Sequence, residues 1–150
     1  LRCAHVEAPH GRRRTERHGA MVRGSAMPAS LRVHAHCTAG RGDGAVTVAW
    51  ANMDEREAFD LRFSEALGAQ RIAYHFAAAN ATEGMGARVL SLNGGVPLRV
   101  GDGAAPPPLD GRAELSGGSA APLRAAPVSL GWAVFPDAKA AACKRDSLGA

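Results

Sequence analysis

The run LRVHAHCT, Leu31–Thr38, decides the fold, because it alternates with period two. Leu31, Val33, Ala35 and Cys37 fall on one face of a strand. Arg32, His34, His36 and Thr38 fall on the other, as in a sheet with one side in a core and one side in water. The pattern repeats downstream. AVTVAWANM, Ala45–Met53, carries Val46, Val48 and Trp50 on one face and Thr47, Ala49, Ala51 and Met53 opposite. Phe59, Leu61 and Phe63 alternate with Asp60 and Arg62, which favours a strand over the helix that REAFDLRFSEAL would otherwise allow. Ile72, Tyr74 and Phe76 alternate with Arg71, Ala73 and His75, and Val128, Leu130, Trp132 and Val134 mark a last strand. Residues 87–92 and 98–100, broken by NGGVP, read as two strands around a tight turn. The polar, proline-rich span Gly101–Pro122 reads as a long surface connection. Short strands at this spacing, without a helix pattern between them, predict an all-β fold, an antiparallel β-sandwich of about seven to eight strands.

Upstream of Leu31 the alternation stops. Residues 1–30 show neither a strand nor a helix period and mix Arg, Gly, Pro and His, which predicts a disordered basic tail or unrelated sequence. The expected organisation is therefore this tail, a sandwich domain over 31–145 and a short tail over 146–150. A chain of 150 residues is long enough for one domain with a real core, since it buries roughly two-thirds of its unfolded surface. The net charge of +4 belongs to the tail, where six arginines face two glutamates; residues 31–150 hold twelve basic and twelve acidic side chains. The cluster GRRRTERH can draw phosphate or sulfate by charge alone, but such runs are most often simply solvated, and no nucleic-acid partner is expected. No window approaches the roughly 18 consecutive apolar residues of a membrane-spanning helix, so no transmembrane segment is expected. The chain begins with Leu1 rather than Met and is expected to be a truncated product or an incomplete gene model. The absence of a secretory signal at its start is then silent on where the parent protein resides.

The residues with chemistry in them are few. In a strand His34 and His36 share a face and could reach one metal ion, but Cys37 points the other way, so the three do not form one N,N,S site. His75 is the remaining histidine of the body. A Cys37 nucleophile would need a histidine beside it, and an apolar face raises a thiol's pKa rather than activating it. A disulfide is the plainer role. Three cysteines allow three single bridges, and the odd thiol stays free or pairs with another chain. Cys3 lies in the tail, Cys37 in the first strand and Cys143 just past the last. A Cys37–Cys143 bridge would close a loop of about 100 residues, worth roughly 4–5 kcal/mol in the chain-entropy model. NAT at Asn80–Thr82 is an N-glycosylation acceptor in a predicted loop. RGD at Arg41–Asp43 reads either as an adhesion motif or as a glycine-rich hairpin turn. The carboxylates of DERE, Asp54–Glu57, read as a solvated turn. No Ser, His and Asp set follows a recognisable motif, so no catalytic residue, metal site or cofactor is expected.

Residues 31–143 resemble the C-terminal region of heparanase and heparanase-like glucuronidases. The resemblance rests on LRVHAHCT, on VTVAWANM with Asn52, on RIAYHF, and on VLSLNGGVPLRV, PPPLDG, APVSLGWAVFP and AAAC. It implies a β-sandwich beside a (β/α)8 barrel whose two glutamates cleave β-glucuronidic linkages with retention, and it implies a bridge between Cys37 and Cys143. It also implies secretory routing, to the extracellular space, lysosome or vacuole, or cell surface, in keeping with a disulfide and a glycosylation site.

The expected function is thus the non-catalytic C-terminal sandwich of a heparanase-like glycoside hydrolase, supporting a barrel absent from this chain and inactive without it. The parent would act on glucuronic-acid-containing polysaccharide or proteoglycan. The alternative is a stand-alone carbohydrate-binding or adhesion module. Trp50, Trp132, Tyr74 and the phenylalanines mostly fall on predicted core faces, which counts against sugar stacking.

Overall fold

The computed structural model describes residues 4–7, 27–41, 44–63, 67–95, 97–99, 105, 107–115 and 122–144. Through them run β1 (Ala4–Glu7), β2 (Leu31–Cys37), β3 (Val46–Asn52), β4 (Phe59–Phe63), β5 (Gln70–Ala78), β6 (Leu90–Leu92), β7 (Pro97–Leu98), β8 (Arg112–Leu115), β9 (Leu123–Ala125) and β10 (Ser129–Phe135). Two antiparallel sheets result. The small one has the order β1-β4-β9, and the large one the order β2-β3-β10-β5-β6-β7, with β8 also paired to β5. The all-β fold expected from alternation is the fold observed, and each run with a clear period of two became a strand.

The core lies between the sheets. Val46, Val48 and Trp50 of β3 and Ala133 and Phe135 of β10 meet Phe59 and Leu61 of β4 and Leu123 and Ala125 of β9. Phe59, Leu61, Leu123 and Phe135 are almost completely buried, and each such side chain contributes about 1.5–3 kcal/mol by leaving water. Phe63 and Phe135 meet edge to face across the sheets, with ring centroids 4.9 Å apart. Gly131 sits on the inner face of β10 because the Trp50 indole crosses the strand there; a Cβ at that position would run into Trp50 Cζ2 and the Tyr74 carbonyl oxygen.

One polar residue ties the sheets together. Asn52 is 2% exposed. Its Nδ2 donates to the carbonyls of Glu57 (2.7 Å), Ala126 (2.8 Å) and Ala125 (3.1 Å), and its Oδ1 accepts from the Asp54 N–H (2.9 Å). The side chain thus stitches the end of β3 to the following turn and to the end of β9.

Three expectations change. Ala4–Glu7, assigned to the tail, pairs with β4 at the edge of the small sheet, with Ala4 opposite Phe63 and Glu7 opposite Asp60. Four residues carry too little alternation to announce a strand. Residues 8–26, the rest of the assigned tail apart from its ends, lie outside the described residues, as do residues 145–150. The span read as a surface connection holds β8, which pairs with the start of β5. β9 follows it immediately and pairs with β4. Finally, β5 and β10 face the other way. Register places Arg71, Ala73 and His75 of β5 with Gly131 and Ala133 of β10 on the inner side, and Ile72, Tyr74 and Phe76 with Leu130, Trp132 and Val134 on the outer side. Arg71 tolerates this because Glu114 of β8 meets it: Nε and Nη2 both lie 2.9 Å from Glu114 Oε2. A buried guanidinium needs such a partner.

Candidate functional site

The Cys37–Cys143 bridge is present, with Cα atoms 5.2 Å apart. Cys37 ends edge strand β2, and Cys143 ends a single 3-10 turn, Ala141–Cys143. The backbone supports the same closure: the Ala140 N–H donates to the Gly44 carbonyl (3.0 Å) and the Gly44 N–H to the Cys143 carbonyl (3.1 Å). Gly44 has φ +89°, and a Cβ there would collide with the backbone of Lys139 and Ala140, so glycine is required for the two segments to meet. Cys37 lies on the inner side of β2 but is exposed, at the far end of this edge strand. Cys3 lies outside the described residues.

His34 and His36 stand exposed on the outer side of β2, with Cys37 on the opposite side. His36 Nδ1 is 3.0 Å from the Cys37 carbonyl. His75 is far from both in the register, half-buried on the inner side, its ring 4.8 Å from that of Trp50. Burial, together with the Arg71 and Arg112 charges and against that of Glu114, pushes its pKa below the usual histidine value. Among the described residues no three of His, Cys, Asp and Glu converge on a point where a metal could sit.

The carboxylates of Asp54–Glu57 build a turn. Asp54 Oδ1 accepts the N–H groups of Arg56 and Glu57, both at 2.9 Å, and Oδ2 accepts from Ser30 Oγ at 3.3 Å. These bonds hold the Asp54 pKa below its usual range, the reverse of what a proton donor needs. Of the RGD run, Arg41 is exposed, and the motif's Gly42 and Asp43 lie outside the described residues. Asn80 is exposed and begins the 3-10 segment Ala81–Gly86.

The feature that sequence reasoning missed is the outer face of the large sheet. Register sets three rows across it: Arg32, Ala51, Leu130, Phe76 and Leu92; His34, Ala49, Trp132 and Tyr74; His36, Thr47, Val134, Ile72 and Ala113. Trp132 stacks on Tyr74 with centroids 5.1 Å apart and leans on Phe76 at 5.0 Å. At one side the backbone of Gly111 lies against Ile72 and Tyr74. Toward the other end the face opens into an apolar groove of about 210 Å³, walled by Met53, Phe76, Met85, Leu90, Val128 and Leu130. Leu130 is 46% exposed and Met85 63%. Val128, just before β10, is held at φ +45°, a conformation costly for a β-branched residue, with its N–H bonded to the Asp54 carbonyl at 2.9 Å. The available signal was that β10 and β5 are apolar on both sides.

This arrangement can bury an apolar partner; its basic side chains, Arg32, His34 and His36, lie along the β2 edge, and among the described residues no metal-ligating set of three comes together. No protein-family model matches the chain, and no curated protein matches it.

Proposed function

We propose that this chain is the non-catalytic C-terminal β-sandwich of a heparanase-like glycoside hydrolase, and that its outer face is the surface buried against the catalytic (β/α)8 barrel. The observation that carries the reading is the apolar outer face itself, continuous from Leu130, Trp132 and Val134 through Phe76 to Leu90 and Leu92. A contiguous apolar surface on an otherwise polar domain marks a place where something docks. The segments that bear the family resemblance, VLSLNGGVPLRV and APVSLGWAVFP, are also the ones that supply much of this face. In this role the sandwich holds the barrel in shape, while two barrel glutamates about 5 Å apart perform the retaining cleavage of a glucuronic-acid-containing glycan. The bridge suits secretory routing to the extracellular space, lysosome or vacuole, or cell surface.

The test is the transcript upstream of Leu1. It is expected to encode a barrel with two glutamates at the ends of its strands, and a short complete gene with its own start and signal overturns the reading. The chain alone is expected to release no product from glucuronidic substrates.

One observation favours a second reading, a carbohydrate-binding module. Trp132 and Tyr74 lie on the outer side of the sheet rather than in the core, where a ring can stack on a sugar. Binding of heparan sulfate that survives neutralisation of Arg12, Arg13 and Arg14 and disappears in Trp132→Ala would support it over docking.

A further inference from the structure

We infer that Asn80 carries an N-linked glycan, attached through its side-chain Nδ2 at the start of the 3-10 segment that supplies one wall of the apolar groove. The inference rests on the secretory routing proposed above and is independent of the barrel. Asn80-Ala81-Thr82 follows β5 and opens the 3-10 segment Ala81–Gly86, none of whose residues is buried. Asn80, Ala81, Thr82 and Glu83 are all exposed.

Transfer to such a triplet precedes folding, so the folded chain has to accommodate the product. Here the work of holding the turn is done by the oxygen of the Asn80 amide. Oδ1 accepts from the Thr82 N–H at 3.2 Å and from Thr82 Oγ1 at 2.9 Å. Nδ2 makes an exposed hydrogen bond of 3.3 Å to Glu83 Oε1. Replacing one hydrogen of Nδ2 by a sugar leaves the oxygen, the cap and the second N–H in place. Space is available as well: around Gly84 and Gly86 a Cβ would meet no atom within 4 Å.

In the transfer, Asn80 Nδ2 attacks C1 of the first N-acetylglucosamine of a lipid-diphosphate-linked oligosaccharide. The C1–N bond forms as the C1–O bond to phosphate breaks. The lipid diphosphate leaves with the electron pair, and the amide proton passes to a base of the transferase. Asn80 leads into the segment whose Gly84 and Met85 line one side of the groove together with Ala87.

The full chain is expressed behind a cleavable secretory leader in cultured eukaryotic cells, and cells and medium are analysed together, so the readout does not depend on export. Peptide N-glycosidase is expected to produce one downward step in mobility and to convert Asn80 to Asp in the peptide that contains it. Both signals are expected to vanish in Asn80→Gln and in Thr82→Ala, and to persist in Thr82→Ser. Unmodified Asn80 in wild-type chain that has formed the Cys37–Cys143 bridge overturns the inference. That result leaves the barrel proposal standing, just as a failed barrel proposal leaves a glycan on Asn80 untouched.

Discussion

Asn52→Ala is expected to be among the most damaging single changes in the domain, although it removes one small polar side chain. Asn52 is 2% exposed, and its amide satisfies three carbonyl oxygens and one N–H: Glu57, Ala126, Ala125 and Asp54. Each net hydrogen bond is worth about 1 kcal/mol, and a buried group left without a partner costs about 1–3 kcal/mol, so truncation is expected to cost about 3–4 kcal/mol. That is a large fraction of the roughly 5–15 kcal/mol that holds a typical domain together. Asn52→Leu refills the volume without restoring the bonds and should recover only a small part. Asn52→Asp keeps the bond from the Asp54 N–H but sets a carboxylate against three carbonyl oxygens, and at pH 7 it is expected to cost at least as much as alanine. The assay is urea unfolding of the oxidised full chain, with the midpoint read at constant m. A loss below about 1 kcal/mol for Asn52→Ala, no more than an average substitution, would refute the view that this side chain joins β3 to β9.

Removal of the bridge in Cys37→Ser/Cys143→Ser releases a loop with a sequence separation of 106 residues, and a loss of about 4–5 kcal/mol is expected in the same urea assay. A thiol count on denatured, unreduced monomer should give one free thiol, and three would remove the clasp from the account. Gly131→Ala drives a methyl group into Trp50 Cζ2 and the Tyr74 carbonyl oxygen, and about 3 kcal/mol is expected, the upper end for overpacking. A near-neutral result would mean that Trp50 does not cross β10. His75 has its pKa lowered by burial, so the unfolded chain takes up a proton first as pH falls. The stability it confers is present above the unfolded value of about 6.5 and is lost between that pH and the lower folded value. The unfolding free energy of wild type relative to His75→Gln should therefore shrink from pH 7.5 to 5, and a constant difference would contradict this.

The amount of fold legible in the sequence followed from how strictly each strand divides apolar from polar. β2 separates Leu31 and Val33 from Arg32, His34 and His36, and its facing was readable. β4 was readable for the same reason, its buried Phe59 and Leu61 alternating with Asp60 and Arg62. β5 and β10 gave their positions but not their facing. In β10 three large side chains, Leu130, Trp132 and Val134, share one side against Phe135 alone on the other, so size suggests that the three point inward. The inner side instead takes Ser129, Gly131 and Ala133, because the volume above them is already filled by Trp50 and the small sheet. Arg71 misled in the opposite sense: a charge on the inner side was invisible until Glu114, 43 residues away, was placed beside it. β8 and β9 lie in or beside proline-rich sequence and hold four and three residues, too few to show a period. The bridge was legible as one of three pairings, because Cys37 and Cys143 flank the alternating region.

The same two-sidedness bears on the extent of the docking surface. An antiparallel sheet with one face in water shows clean alternation, whereas strands covered on both faces read as nearly continuous apolar runs. SLGWAVF of β10 is such a run, and IAYHFAA of β5 is close to one, while LRVHAHC of β2 is not. These strands belong to one sheet, so the difference is not one of fold but of what covers each strand from outside. The inner cover is the small sheet, and it accounts for Phe135 and Ala133. It does not account for Leu130, Trp132 and Val134; part of their cover comes from the chain itself, Trp132 packing on Tyr74 and Phe76, and under the docking proposal the rest comes from a partner over β10, β5 and β6. By the same argument the cover stops before β2, where Arg32, His34 and His36 keep that side wet. At the other end it stops short of Asn80, where an exposed amide caps an exposed turn. The footprint of the docking reading is thereby bounded by the two histidines on one side and the glycosylation triplet on the other, with the Leu130–Trp132–Val134 row and the methionine-walled groove between them.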